Sequence, residues 1–233
     1  MRILLEFTKG PSLRWISHLD LIKLFEKAIR RATLPVALSQ GFNPRPKMSI
    51  ALPLPVGVSS DGEYMELELA EQMDHKQLCD RFNRQLPTDM KILKAMNLSE
   101  NSPSVMSQVE TSNYRIHVPH ANEVGDEVAN AIQNLLAKHE IMIRVTNKEG
   151  KIKTLDIKPG IRSCVWCKNQ ESILMEIETS SRLFIRPQFV LQAITESLNQ
   201  PQWSIEEIDI HRVKINLNPK IQVSMQAYSY PGL

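Results

Sequence analysis

Apolar residues alternate and then recur at helical spacing in the order β-α-β-β-α-β across residues 1–100. The same order returns across 113–233 with an added hairpin, and a polar, aperiodic stretch at 101–112 separates the two. These three observations predict an α+β protein of two tandem ferredoxin-like units with antiparallel sheets.

In the first unit, Arg2 to Phe7 alternates, with Ile3, Leu5 and Phe7 on one side, as a half-buried strand does. Ser17 with Asp20 three residues on reads as a helix start. Leu21, Ile22, Phe25, Ala28, Ile29 and Ala32 give that helix an apolar stripe, and Lys23, Lys27, Arg30 and Arg31 fall on another arc. Pro35 is expected to end it. Met48 to Leu52 reads as a strand, Pro53 to Gly62 as a loop rich in Pro, Gly and Ser, and Glu63 to Leu69 as a strand with Met65, Leu67 and Leu69 inward. Asp74 caps a second helix with the stripe Leu78, Cys79, Phe82 and Leu86, stopped by Pro87. Lys91 to Leu98 supplies the last strand.

Glu100 to Thr111 is polar, contains a proline and reads as a linker. Beyond it, Tyr114, Ile116 and Val118 alternate. Val128, Ala131, Ile132, Leu135 and Leu136 form a helical stripe after Asn122 or Asp126. Ile141 to Val145 and Ile152 to Ile157 are the arms of a hairpin around the NKEG turn at 147–150. Ile173 to Glu178 is a strand. Pro187 opens a helix carrying Val190, Ala193, Ile194 and Leu198. Ile205 to Leu217 ends the pattern, with a bulge expected near His211 and Arg212 because the inward phase shifts there.

The chain has 233 residues, enough for a sizeable core. Its formal charge of +2 hides a strong asymmetry. Residues 1–50 carry nine Lys/Arg against three Asp/Glu, residues 51–110 five against ten, and Lys138 to Lys168 eight against three. Two basic districts therefore flank an acidic one. No apolar run reaches the ~20 residues of a membrane span, and the first residues enter a strand pattern rather than a signal peptide. Three cysteines make no disulfide framework, so the expected compartment is the cytoplasm.

The segment GFNPRPK at 41–47 is the least ordinary stretch. Gly41 permits a turn, and Pro44 and Pro46 push Asn43 and Arg45 into extended geometry. Alternation would project Asn43, Arg45 and Lys47 together, with Phe42, Pro44, Pro46 and Met48 opposite. One reading is a rigid anion-binding loop. The other is a sheet edge guarded against aggregation by Pro and Lys.

From Ser17 to Leu69 the chain resembles the radical-SAM-linked proteins, the family of unknown function DUF2344. The resemblance is carried by Ser17, His18, Leu19, Asp20, Arg31, Pro35, Gly41, Phe42, Asn43, Pro44, Pro46, Lys47, Leu54, Gly57 and Glu63. It continues more weakly after Ser112. It implies a radical SAM protein as partner and names no activity.

Cys164-Val-Trp-Cys167 is a lone CxxC without a second pair, and in an extended segment its thiols would point to opposite faces. No metal and no cofactor are therefore expected. The sequence lacks GxGxxG, Walker A, HExxH and GxSxG motifs, and the CxxxCxxC of radical SAM enzymes. His18, beside Asp20 in the first helical turn, is the one candidate acid-base group. Its other reading is a histidine that fixes the local loop.

These features predict a non-catalytic RNA-binding module that works with a radical SAM protein, in tRNA or rRNA modification or ribosome-related RNA metabolism. Arg45, Lys47, Asn43, Lys27, Arg30 and Arg31 are the expected contacts to a structured RNA. Two alternatives stand beside it. One is a metal-independent ribonuclease or RNA-modifying enzyme using His18 or Asp20. The other is a protein-interaction module without nucleic acid.

Overall fold

The computed structural model describes residues 1–119, 121–146, 150–198, 208–218 and 223–229, without the side chains of 121–122 and 223–227. The chain is α+β, with four helices among the described residues and antiparallel strand pairs. It divides into two compact units, Met1–Val109 with Lys214–Leu233, and Glu110–Val213.

The first unit contains β1 (Arg2–Lys9), α1 (His18–Arg31), β2 (Met48–Ile50), β3 (Val58–Glu68), α2 (His75–Asn83), β4 (Ile92–Leu98) and β11 (Val223–Ser229). β1 pairs with β3 on one side and β4 on the other; β2 flanks β3, and β11 flanks β4. One face of this sheet takes α1 and α2. Ile3, Leu5, Phe7, Met65 and Leu67 meet Leu21, Phe25, Ile29, Leu78 and Phe82 in one buried cluster. Each large side chain buried there contributes about 2 kcal/mol. Phe25 sits edge-on to Phe7 and to Phe82, with ring centroids 5.0 and 5.9 Å away.

The other side of β1 and β3 is partly covered too, by this unit's own residues. Leu4, Leu52, Leu98, Val105, Val109 and Ile215 form a second buried cluster, with Tyr64 packed against it. The polar stretch at 101–112 thus supplies two core valines, one of them in a short 3-10 turn at Val105–Gln108. Arg2 holds this region. Its Nε donates to Glu66 at 2.6 Å, and its guanidinium also reaches the carbonyl of Ser102 at 2.5 Å.

Both helix starts in this unit follow the sequence. The Ser17 hydroxyl accepts from the Asp20 N–H at 3.2 Å, and the Asp74 carboxylate from the Gln77 N–H at 3.0 Å. The end of α1 does not wait for Pro35. The helix stops at Arg31, and Thr33 turns to φ 49°. Arg81 of α2 then donates to the carbonyls of Ala32 (2.5 and 3.0 Å) and Thr33 (2.6 Å), satisfying exposed helix-end acceptors. The expected loop at Pro53 to Gly62 is also shorter, because β3 already begins at Val58. Val58, Ser59 and Ser60 are buried, and Ser60 is in register with Lys9 of β1. That pairing outweighs the local Gly and Ser content.

The second unit contains β5 (Val109–His117), α3 (Ala121–Leu136), β6 (Met142–Thr146), β7 (Ile152–Asp156), β8 (Ile161–Cys167), β9 (Ser172–Glu178), α4 (Pro187–Ser197) and the first part of β10 (Asp209–Leu217). Its strands run in the order β10-β5-β9-β8, and β6 with β7 forms a separate hairpin. β8 was not expected: IRSCVWC reads as a cysteine motif rather than as a strand. The turn residues at 147–149 and the start of the last strand at 205–207 lie outside the described residues, as does the side chain of Asn122. Along β10 the buried residues are Ile210 and Arg212, then Ile215, so the inward phase does shift, just beyond Arg212.

Candidate nucleic-acid interface

The approach to α1 is built backward from a buried lysine. Lys9 ends β1 almost wholly shielded from solvent, and its Nζ donates to the carbonyls of Arg14 (3.3 Å) and Ile16 (3.2 Å). The Gly57 N–H donates to the same Arg14 carbonyl at 2.8 Å. Gly57 has φ +87°, a conformation that favours glycine. A Cβ there would stand 3.5 Å from the Trp15 ring. The backbone around Trp15 is therefore fixed from two sides, yet its indole is 66% exposed, with the Arg14 guanidinium 5.0 Å from the ring centroid.

From Trp15 the chain enters α1. Lys23, Lys27, Arg30 and Arg31 are all exposed along this helix. Asp20 bonds to the Ser17 hydroxyl at 2.8 Å and lies 3.5 Å from Lys23. The Ser17 hydrogen bond, with help from Lys23, holds its carboxyl below the usual aspartate range. His18 is half-buried, and its Nδ1 is shielded from solvent without a partner among the described residues. The Asp20 carboxylate thus accepts from the hydroxyl of the capping Ser17, and no hydrogen bond joins it to His18.

The 41–47 segment differs from the two-faced strand expected of it. It is the far end of a closed loop. The Ser39 N–H donates to the Arg45 carbonyl and the Lys47 N–H to the Ala37 carbonyl, both at 2.8 Å. The Ser39 hydroxyl accepts from the Arg45 N–H at 3.1 Å. Gly41, at φ +125°, reverses the chain. Residues 41 to 45 are consequently all exposed, Phe42 completely. The prolines hold a protruding loop rather than an apolar and a polar face.

The expected cations divide between two places. Arg45 lies 3.9 Å from Glu26, which brings it onto the exposed side of α1 with Lys23 and Arg30. Lys47 instead bonds Glu68 of β3 at 3.0 Å. Asn43 is exposed at the loop tip. The sequence reading missed Trp15, Arg14 and the two carboxylate partners. The only signal for Trp15 was an aromatic between the Pro11 turn and the Ser17 cap, outside the apolar stripe.

The outer carboxylates of β3 are used locally. Glu66 accepts from Arg2 and from the Val105 N–H at 3.3 Å, and Glu68 takes Lys47. The second cluster covers part of that face, and these two carboxylates, already engaged, stand where a base-reading sheet would present aromatics.

A sequence-family match covers residues 2–187 of the 233. The chain belongs to DUF2344, a family described as an uncharacterized protein conserved in bacteria. No curated protein matches the chain. This DUF2344 chain also presents a second basic surface, in its other unit: Arg144, Lys151 and Lys153 are exposed on the β6–β7 hairpin. Asp156 closes the base of that hairpin by accepting from the N–H groups of Ile141 (2.8 Å) and Lys158 (3.0 Å).

The cysteines of the DUF2344 chain are free thiols. Burial pushes Cys79 and Cys164 up to about 12, whereas Cys167 is half-buried. Among the described residues no three His, Cys, Asp or Glu are grouped to hold a metal ion. No described helix is long and apolar enough to cross a membrane.

Proposed function

We propose that the chain is a non-catalytic RNA-binding module acting with a radical SAM protein in the modification of tRNA or rRNA or in related ribosomal RNA metabolism. The observation that carries this reading is the meeting of Arg45 with the cationic side of α1. A loop stiffened by Pro44 and Pro46 adds its guanidinium to Lys23, Lys27, Arg30 and Arg31 of α1, which carries Asp20 and Glu26 as its two acidic residues. Such a cluster suits phosphates, which Arg can fork and Lys can meet as a point charge. The Lys47–Glu68 pair is exposed at both ends, and the Arg45–Glu26 pair is loose with its guanidinium in water, so both yield to a phosphate at little cost.

The radical SAM partner rests on the family resemblance. Two ferredoxin-like units are the reading that fits the strand orders β4-β1-β3-β2 and β10-β5-β9-β8. That architecture is common among RNA binders, which is an analogy of fold. Three free thiols favour the cytoplasm. The enzyme alternative is disfavoured by the bond of the Asp20 carboxylate to the capping Ser17 hydroxyl and by the shielded His18 Nδ1.

Sequencing RNA crosslinked to the protein in cells tests the proposal. Enrichment of one tRNA or rRNA region is the expected result. A spectrum of fragments no different from an irrelevant cytosolic protein would sink it.

A further inference from the structure

We propose that Trp15 and Phe42 are base-stacking platforms beside the cations of α1, so that RNA is bound there through unpaired nucleotides rather than through a duplex surface. This rests on the RNA-binding reading above and narrows its ligand class. Among the described residues Phe42 and Trp15 are the most exposed aromatic side chains, while Phe7, Phe25, Phe82 and Tyr114 are buried.

Neither ring is exposed because its backbone is loose. Trp15 is held by the Lys9 and Gly57 hydrogen bonds to the Arg14 carbonyl. Phe42 stands on a loop closed by Ser39–Arg45 and Ala37–Lys47 bonds and stiffened by two prolines. A ring fixed in water loses little entropy when a planar partner arrives.

Charge selects the partner. Arg14 stacks on Trp15, and Arg45 follows Phe42 by three residues and reaches Glu26 on α1. The helical rise puts about 12 Å between His18, just past Trp15, and Glu26. Lys23 falls within that interval, and Lys27, Arg30 and Arg31 continue on the turns beyond Glu26, so cations follow α1 as tracking of a nucleic-acid backbone requires. Trp15 precedes the helix, and Phe42 stands on the loop that Arg45 joins to Glu26. Every base offers a π-face, so this arrangement takes single strands, loops or bulges with little sequence preference.

The test uses the full chain with a short oligouridine and a blunt RNA duplex of equal length, each titrated against salt. The expected result is tighter binding of the single strand. Phe42→Ala should weaken oligouridine binding about tenfold while leaving the salt slope unchanged, since no charge is removed. Phe42→Trp should restore it and Phe42→Leu should not. Quenching of indole fluorescence by oligouridine should fall in Trp15→Phe.

Equal affinity for duplex and single strand overturns the inference, as does Phe42→Ala binding like wild type. In the latter case, with a slope that still depends on Arg45 and Lys47, RNA binding survives and a protein surface becomes the ring's occupant. If neither RNA binds, the RNA-binding reading falls and this one with it.

Discussion

The Arg45 guanidinium lies 3.9 Å from the Glu26 carboxylate, so a loop remote in sequence and the exposed side of α1 meet at one ion pair. The pair is loose and Arg45 remains well exposed. Its consequence is charge placement more than stability.

Glu26→Gln should therefore leave melting nearly unchanged and strengthen RNA binding by about two- to fivefold, the scale of an exposed pair. Titration of oligouridine at fixed salt measures it. Weaker binding would mean that Glu26 orients Arg45 productively rather than competing with phosphate.

The start of α1 predicts an acid-dependent increment of stability. Ser17→Ala should cost about 1 kcal/mol at neutral pH. In the wild type, Asp20 sits below its ordinary value of 3.8 because Ser17 bonds its carboxylate. A depressed carboxyl contributes stability that is complete above its unfolded value and is lost as pH falls through the folded one. The gap between wild type and variant should narrow below about pH 4. Denaturant melts at neutral and acid pH measure the gap, and a constant difference would contradict the assignment.

At the other end of the helix, Arg81→Ala should destabilise by roughly 2 kcal/mol, since a charged donor leaves the Ala32 and Thr33 carbonyls. Thr33→Asn should stabilise by about 0.5 to 1 kcal/mol. A β-branched residue is strained at φ 49°, and asparagine tolerates that region. Urea unfolding of both variants decides this.

What was legible in the sequence is what local chemistry determines. Ser17 and Asp74 cap their helices because a side chain three residues away from its N–H partner can do so alone. The stripes of α1 and α2 follow from periodicity, and Leu21, Phe25, Ala28, Leu78 and Phe82 are buried as it requires. What was not legible depends on distant partners. Ser59 and Ser60 read as loop until β1 pairs beside them. Val105 and Val109 lie in a polar stretch and enter the core through a cluster whose other members are far along the chain. At the site, the four cations of α1 could be read from the helical wheel. The Glu26 and Glu68 pairings could not, because they join segments 19 and 21 residues apart. Trp15 was passed over because exposure of a large apolar ring is set by what fails to cover it.

Thiol chemistry should distinguish the cysteines. In the native protein at pH 8, a disulfide reagent should titrate Cys167 and spare Cys79 and Cys164, whose thiols burial raises to about 12. All three should react in denaturant. Rapid native labelling of Cys164, read by mass spectrometry, would contradict the burial of its strand face.

RNA affinity against salt, for wild type and for Arg45→Ala with Lys47→Ala, tests the central claim most directly. Each neutralised single-strand phosphate adds roughly 0.7 to the steepness of the log–log slope. The double variant should flatten the slope by about 1 to 1.5 units and melt like wild type, since both side chains are exposed. An unchanged slope in a folded double variant would contradict the account and leave the loop as protection for a sheet edge.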